Sequence, residues 1–271
     1  MMITALALSL QTACLDEIGT MLFDGFPNEA DSFRRGAPSC LWPRTETPAP
    51  AALYANARSL SSQLDPAQSA ACARAWDALS ARTAAAEPEA CGGPAAPDDA
   101  EMIARCRVDQ GAMATLGGAA ELGAGCDAAP LIAMYQSVFV RFEGAAYLQN
   151  QLEAGAATPD RSRAYWSAAY YLAQHAEMAP EIQEPWLEAV SAAVASGAAE
   201  PYLQAGLADR LSIAEQGRQL YGTHTTCVEG RARLQPVIDD IEAAEARRAA
   251  IGLPDLQAFL EQRSRLRCTP G

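Results

Sequence analysis

The sequence predicts an all-α, mainly helical chain with one small β-hairpin near residues 219–238. Three observations carry this. Half of the 271 residues are hydrophobic, and much of that share is alanine, which favours helix and buries little area per residue. Proline, aspartate and glycine recur where helices start and stop. A single stretch, Gln219 to Val228, is rich in threonine and tyrosine and alternates with period two.

Taken in order, Met1 to Leu10 is a short apolar run that ends near Gln11-Thr12-Ala13. It is too short to span a bilayer and has the form of a secretory signal core without its basic start, so residues 1–14 are set apart as signal-like. Cys14 follows Ala13 as a lipidated cysteine follows its cleavage site, but Gln11 stands where such sites prefer leucine, so a lipoprotein is the lesser reading. Asp16 to Pro50 reads as an irregular lead-in with one short helix, tied down by Phe23, Phe26, Trp42 and Cys40.

Asp65-Pro66-Ala67-Gln68 is a helix start, with Asp65 as cap, Pro66 at the first helical position and Gln68 able to close a capping box. Cys72, Trp76 and Leu79 follow at helical spacing, and Pro88 with Gly92-Gly93-Pro94 ends the segment. Pro97-Asp98-Asp99 opens a helix carrying Met102, Ile103, Cys106 and Met113. Gly117-Gly118 and Gly123-Ala124-Gly125 follow no strand and lack the order of a dinucleotide-binding turn. A long helix from Pro130 carries Leu131, Tyr135, Val138, Phe142 and Leu152 and stops at Gly155. The helix after Pro159-Asp160 is apolar almost all round, which implies burial on most sides, and it ends in Gln174-His175. Ile182, Trp186, Val190 and Val194 mark another helix, closed by Gly197 and carrying Pro185 in its first turns. Pro201 to Gln216 is helical, with Leu203, Leu207, Arg210 and Ala214 on one stripe. Gln219 to Val228 and Arg231 to Ile238 form the hairpin about a Glu229-Gly230 turn. Asp239-Asp240 caps a helix to about Ala250, and Leu253-Pro254-Asp255 opens the last, to about Arg267.

The formal charge of −13 argues against nucleic acid, whose binding needs clustered lysine and arginine, and against anionic membrane surfaces. The partners left open are an unknown protein or an anionic small molecule, with no nucleic acid and no membrane span. Eight cysteines without a C-x-x-C pair weaken zinc and thioredoxin-like readings. An even count behind a signal-like segment points to disulfides and a periplasmic or secreted location. Six cysteines precede residue 127, so a Cys227–Cys268 bridge keeps each part self-contained. The division expected is a disulfide-containing helical region over 15–127 and a helical domain over 128–268.

The C-terminal half resembles the bacterial domain of unknown function 6624. The resemblance covers roughly residues 130–262. It is carried by Gln174-His175-Ala176, Leu207-Ala208-Asp209-Arg210, Gln219-Leu220-Tyr221-Gly222-Thr223, and Arg247-Arg248 followed by Gly252-Leu253-Pro254. Two positions depart from the family pattern: Glu177 stands where the family has aspartate, and His224 where it has glutamine. The resemblance implies no established activity.

The residues that carry chemistry fall in these motifs. Arg210 points along an apolar stripe, so its guanidinium needs a carboxylate, carbonyls or a cleft; Glu177, Asp239 and Asp240 are the candidate partners. His175 lies on the face of Ala168, Tyr171 and Leu172, as a satisfied core residue or a general base. On a regular strand Gln219, Tyr221, Thr223 and Thr225 share one face and His224 the other, so Tyr221 and His224 diverge unless Gly222 makes a bulge. Two readings result. In the first the chain is a non-enzymatic binding or interaction module whose polar motifs brace the hairpin. In the second it is an enzyme or anion binder: His175, Asp209 and Tyr221 are catalytic, and Gln174, Arg210, Gln219 and His224 bind ligand. Two histidines without metal-ligand spacing argue against a metal, and no cofactor is implied.

Overall fold

The computed structural model describes residues 50–64, 66–85, 91–92, 96–118, 123, 125–127, 129–177 and 179–268. Among these it is mainly helical, with nine helices and one two-stranded antiparallel hairpin. The helices are α1 (Pro50–Leu64), α2 (Ser69–Ala85), α3 (Ala100–Gly117), α4 (Ala129–Glu153), α5 (Arg163–His175), α6 (Pro180–Ala195), α7 (Pro201–Gln216), α8 (Ile241–Ala250) and α9 (Leu256–Arg267). The strands are β1 (Thr225–Val228) and β2 (Arg231–Leu234), paired Thr225 to Leu234 through Val228 to Arg231. The signal-like segment, Cys14, Cys40, the aromatic lead-in and the Asp65 cap lie outside the described residues.

Helix α1 is absent from the sequence reading. Its buried Leu53, Tyr54, Ala57, Leu60 and Ser61 recur at helical spacing, so the stripe is present, but no capping residue marks its start. The chain divides into two compact units, one ending at Tyr147 and the other beginning at Leu148 and including the 94–99 segment. The expectation from sequence put the division at 127/128.

The first unit packs α1, α2, α3 and most of α4 around Leu53, Leu60, Trp76, Leu79, Val108, Ile132 and Phe139. Ser61 and Gln136 are among its buried polar side chains. Trp76 Nε1 donates to Ser61 Oγ at 2.7 Å, and Gln136 Nε2 to the Leu53 carbonyl at 3.0 Å. Cys72–Cys126 and Cys91–Cys106 are disulfides, and all four cysteines are fully buried.

In the second unit α5, α6 and α7 pack together. Ser162 caps α5 by accepting the Tyr165 amide at 3.1 Å. The nearly all-apolar body of α5 is buried as its pattern requires, with Trp166 edge-on to Tyr165 and to Trp186 of α6. Gln183 of α6 donates to the Ala173 carbonyl at 2.8 Å, near the end of α5. Pro201 starts α7, and Gly217, with φ of 69°, ends it in the left-handed conformation. The hairpin is fastened to α9 twice. Ser264 Oγ accepts the Ala232 amide at 2.8 Å, and Cys227 is bridged to Cys268, the pairing expected from the sequence. All six described cysteines are bridged.

Candidate functional site: a carboxylate-centred knot

Asp209 sits on the inner side of α7 and is fully buried. A buried carboxylate needs several donors to offset its lost hydration. The loop after α7 supplies four. Oδ1 accepts the amides of Leu220 at 2.6 Å and Tyr221 at 2.7 Å. Oδ2 accepts the Thr223 amide and the Thr223 hydroxyl, each at 2.7 Å.

This corrects the strand expected from Gln219. Three amides from residues 220, 221 and 223 converge on one side chain, whereas a strand points successive amides in opposite directions. Regular pairing therefore begins only at Thr225. Gly222 allows the reversal. Its φ is 75°, and a Cβ there would lie 2.6 Å from Leu256 Cδ2 and 2.7 Å from Ile238 Cδ1.

Gln219 closes the loop from within. Its Oε1 accepts the His224 amide at 2.7 Å, while Nε2 donates to the His224 carbonyl at 3.0 Å and to the Pro236 carbonyl. From the other side, buried Arg248 donates from Nη1 to the Tyr221 carbonyl at 2.7 Å and from Nε to the Pro254 carbonyl at 2.7 Å. Its guanidinium lies 4.9 Å from the centre of the Phe259 ring. Arg247 Nη1 reaches the Leu220 carbonyl at 3.2 Å. The loop is thus held by a carboxylate on its amides and by guanidinium groups on its carbonyls.

Beside the knot lies a second polar group. Arg210 Nη1 pairs with Glu177 Oε1 at 2.7 Å, so one of the three candidate partners is the partner found. Asp239 instead meets Arg218 at 3.5 Å, and Asp240 caps α8. The Arg210 side chain is 25% exposed, and its carboxylate partner ties α7 to the residue just past α5, not to the hairpin. His224 makes a hydrogen bond with the Gly206 backbone, while its Nε2 is buried without a partner, as is Arg210 Nε. Burial holds the imidazole below its ordinary proton affinity. The Arg210 charge adds to this, against the opposing pull of Asp209, the Gly206 bond and Glu177.

The sequence-selected residues therefore separate into three sets. Asp209 and Gln219 are saturated inside the knot. Tyr221 joins it through its backbone amide and carbonyl, not its phenol. Arg210 and His224 act on each other electrostatically beside it. His175 and Gln174 end α5 half-buried, and the Gln174 carbonyl faces Gln183 Nε2 at 3.4 Å. Thr223 and Arg248 were not singled out as site residues. The signal for Arg248 was its place in the Arg247-Arg248 piece of the resemblance; the structure puts it one helical turn after buried Ala244, on the inner stripe of α8. Among the described residues no group of three or more His, Cys, Asp or Glu is placed to hold a metal ion, and no helix is long and apolar enough to cross a membrane. No family model, curated protein or solved structure matches the chain.

Proposed function

We propose that this chain is a non-enzymatic binding or interaction module of an oxidising compartment, periplasmic or secreted. One observation carries the reading. Asp209, the buried carboxylate among the residues selected from the sequence, spends both oxygens on the amides of Leu220, Tyr221 and Thr223 and on the Thr223 hydroxyl, as a brace does. The three disulfides support the compartment. We propose further, from the resemblance of its motifs, that the C-terminal half belongs with the domain of unknown function 6624; pieces of three of the four motifs, at 207–210, 219–223 and 247–254, lie in this one knot.

The rival reading, an enzyme or anion binder, has one observation in its favour: unpartnered Arg210 Nε and His224 Nε2, buried close to the Arg210–Glu177 pair. A thermal-shift screen of the protein against small carboxylates and inorganic phosphate separates the two. A module gives no ligand-dependent shift in wild type. An anion site gives a shift that Arg210→Ala abolishes while leaving the unliganded melting point nearly unchanged.

A further inference from the structure

Among the described residues five large apolar side chains are exposed. Four of them, Val228, Val237, Ile241 and Leu266, lie in the stretch from the hairpin to the end of α9. Ile241, 60% exposed, lines a groove of about 410 Å³ formed by β2, α8 and α9. Leu234, Leu256 and Leu260 line it too. Isolated exposed apolar residues need no explanation; Ile241 differs from the other three in lining a concave surface together with three leucines.

The charges lining this groove are of two kinds. Glu245 Oε1 already accepts the Leu256 amide at 2.9 Å, and Glu261 Oε1 accepts from Gln257 Nε2 at 3.0 Å. Arg231 and Arg233 are exposed, and neither makes an ion pair or a side-chain hydrogen bond among the described residues. They stand two apart on β2 and so share one face of the strand. Arg231 and Arg233 are thus the charged side chains at this groove with no partner among the described residues, while Glu245 and Glu261 keep their charge on the α8 and α9 side.

We propose that the groove docks a short segment of a partner protein in which an aliphatic side chain is flanked by carboxylates. The aliphatic group enters against Leu234, Leu256, Leu260 and Ile241 and removes their surface from water. The flanking carboxylates pair with Arg231 and Arg233, whose planar guanidinium groups suit two-point contacts with such anions. This deepens the binding-module reading and rests on it.

The test is a fluorescence-anisotropy titration of the full chain with three labelled synthetic peptides. The first is a leucine pair flanked by aspartate and glutamate; the second has lysines in place of the acids; the third has serines in place of the leucines. The proposal expects the first alone to bind. It also expects Ile241→Ser, and separately the double charge reversal Arg231→Glu with Arg233→Glu, to weaken binding at least about ten-fold. All three altered side chains are exposed, so unchanged melting curves verify folding. No binding by wild type, or equal binding of the acidic and lysine peptides, overturns the proposal. Wild-type binding that survives both variants overturns the groove while leaving the module reading intact. A dimer in sedimentation that Ile241→Ser dissolves and the acidic peptide does not compete assigns the groove to a second copy and overturns it as well.

Discussion

The two compact units are held by different chemistry. The first has an apolar core with two fully buried disulfides, and its buried polar side chains, Ser61, Asp109 and Gln136 among them, are spread over α1, α3 and α4. The second also buries tryptophans, but its loop and hairpin are organised by a carboxylate and a guanidinium, both buried, and its one disulfide has an exposed cysteine, Cys227. An apolar core tolerates volume-conserving exchange, whereas a buried charge network fails when one member is removed. The difference teaches that conspicuous polar motifs in a helical chain can mark the place where regular structure stops and something else must hold the backbone.

The largest contrast is between Asp209→Ala and Trp76→Phe. Asp209→Ala leaves three amides and a hydroxyl without their acceptor, those of Thr223 buried, and is expected to cost about 3–5 kcal/mol in urea unfolding. Trp76→Phe in the first unit loses some packing and one hydrogen bond, and is expected to cost about 1–3 kcal/mol. Equal costs for the two would break the comparison. Gly222→Ala comes next. It meets positive φ and two side chains at under 3 Å, so about 2 kcal/mol is expected, with the loss read at the hairpin by hydrogen exchange. The smallest effect is on pH dependence. Because the folded protein holds His224 below its unfolded proton affinity, the unfolded chain takes up the proton first as pH falls. Stability is therefore complete above about pH 6.5 and declines below it, levelling off once the folded imidazole is protonated too. His224→Gln should flatten this decline below about pH 6.5, with thermal unfolding as the measurement.

The helices from α2 onward were legible because proline, aspartate and glycine mark their ends. Helix α1 was not, since its stripe of Leu53, Ala57 and Leu60 comes without a cap and directly after a proline-rich lead-in. Thr225 to Leu234 was legible as a hairpin. The preceding Gln219 to His224 imitates a strand in composition, but a carboxylate distant in sequence competes for its amides, and no local pattern reveals that competitor. The same limit applies to the candidate site. The spacing marked Asp209, Arg210, Gln219 and Tyr221 as out of place and placed Glu177 among the partners of Arg210. It left undecided whether those groups face a ligand or each other, because side-chain periodicity carries no information about which backbone atoms a loop turns inward.

Asp209 takes hold of peptide nitrogens at 220 and 221 and is indifferent to what those two residues carry on their Cα atoms. Positions 220 and 221, both only half-buried, are thus a place where an engineered library can change the chain's outward character while the turn beneath stays the same shape.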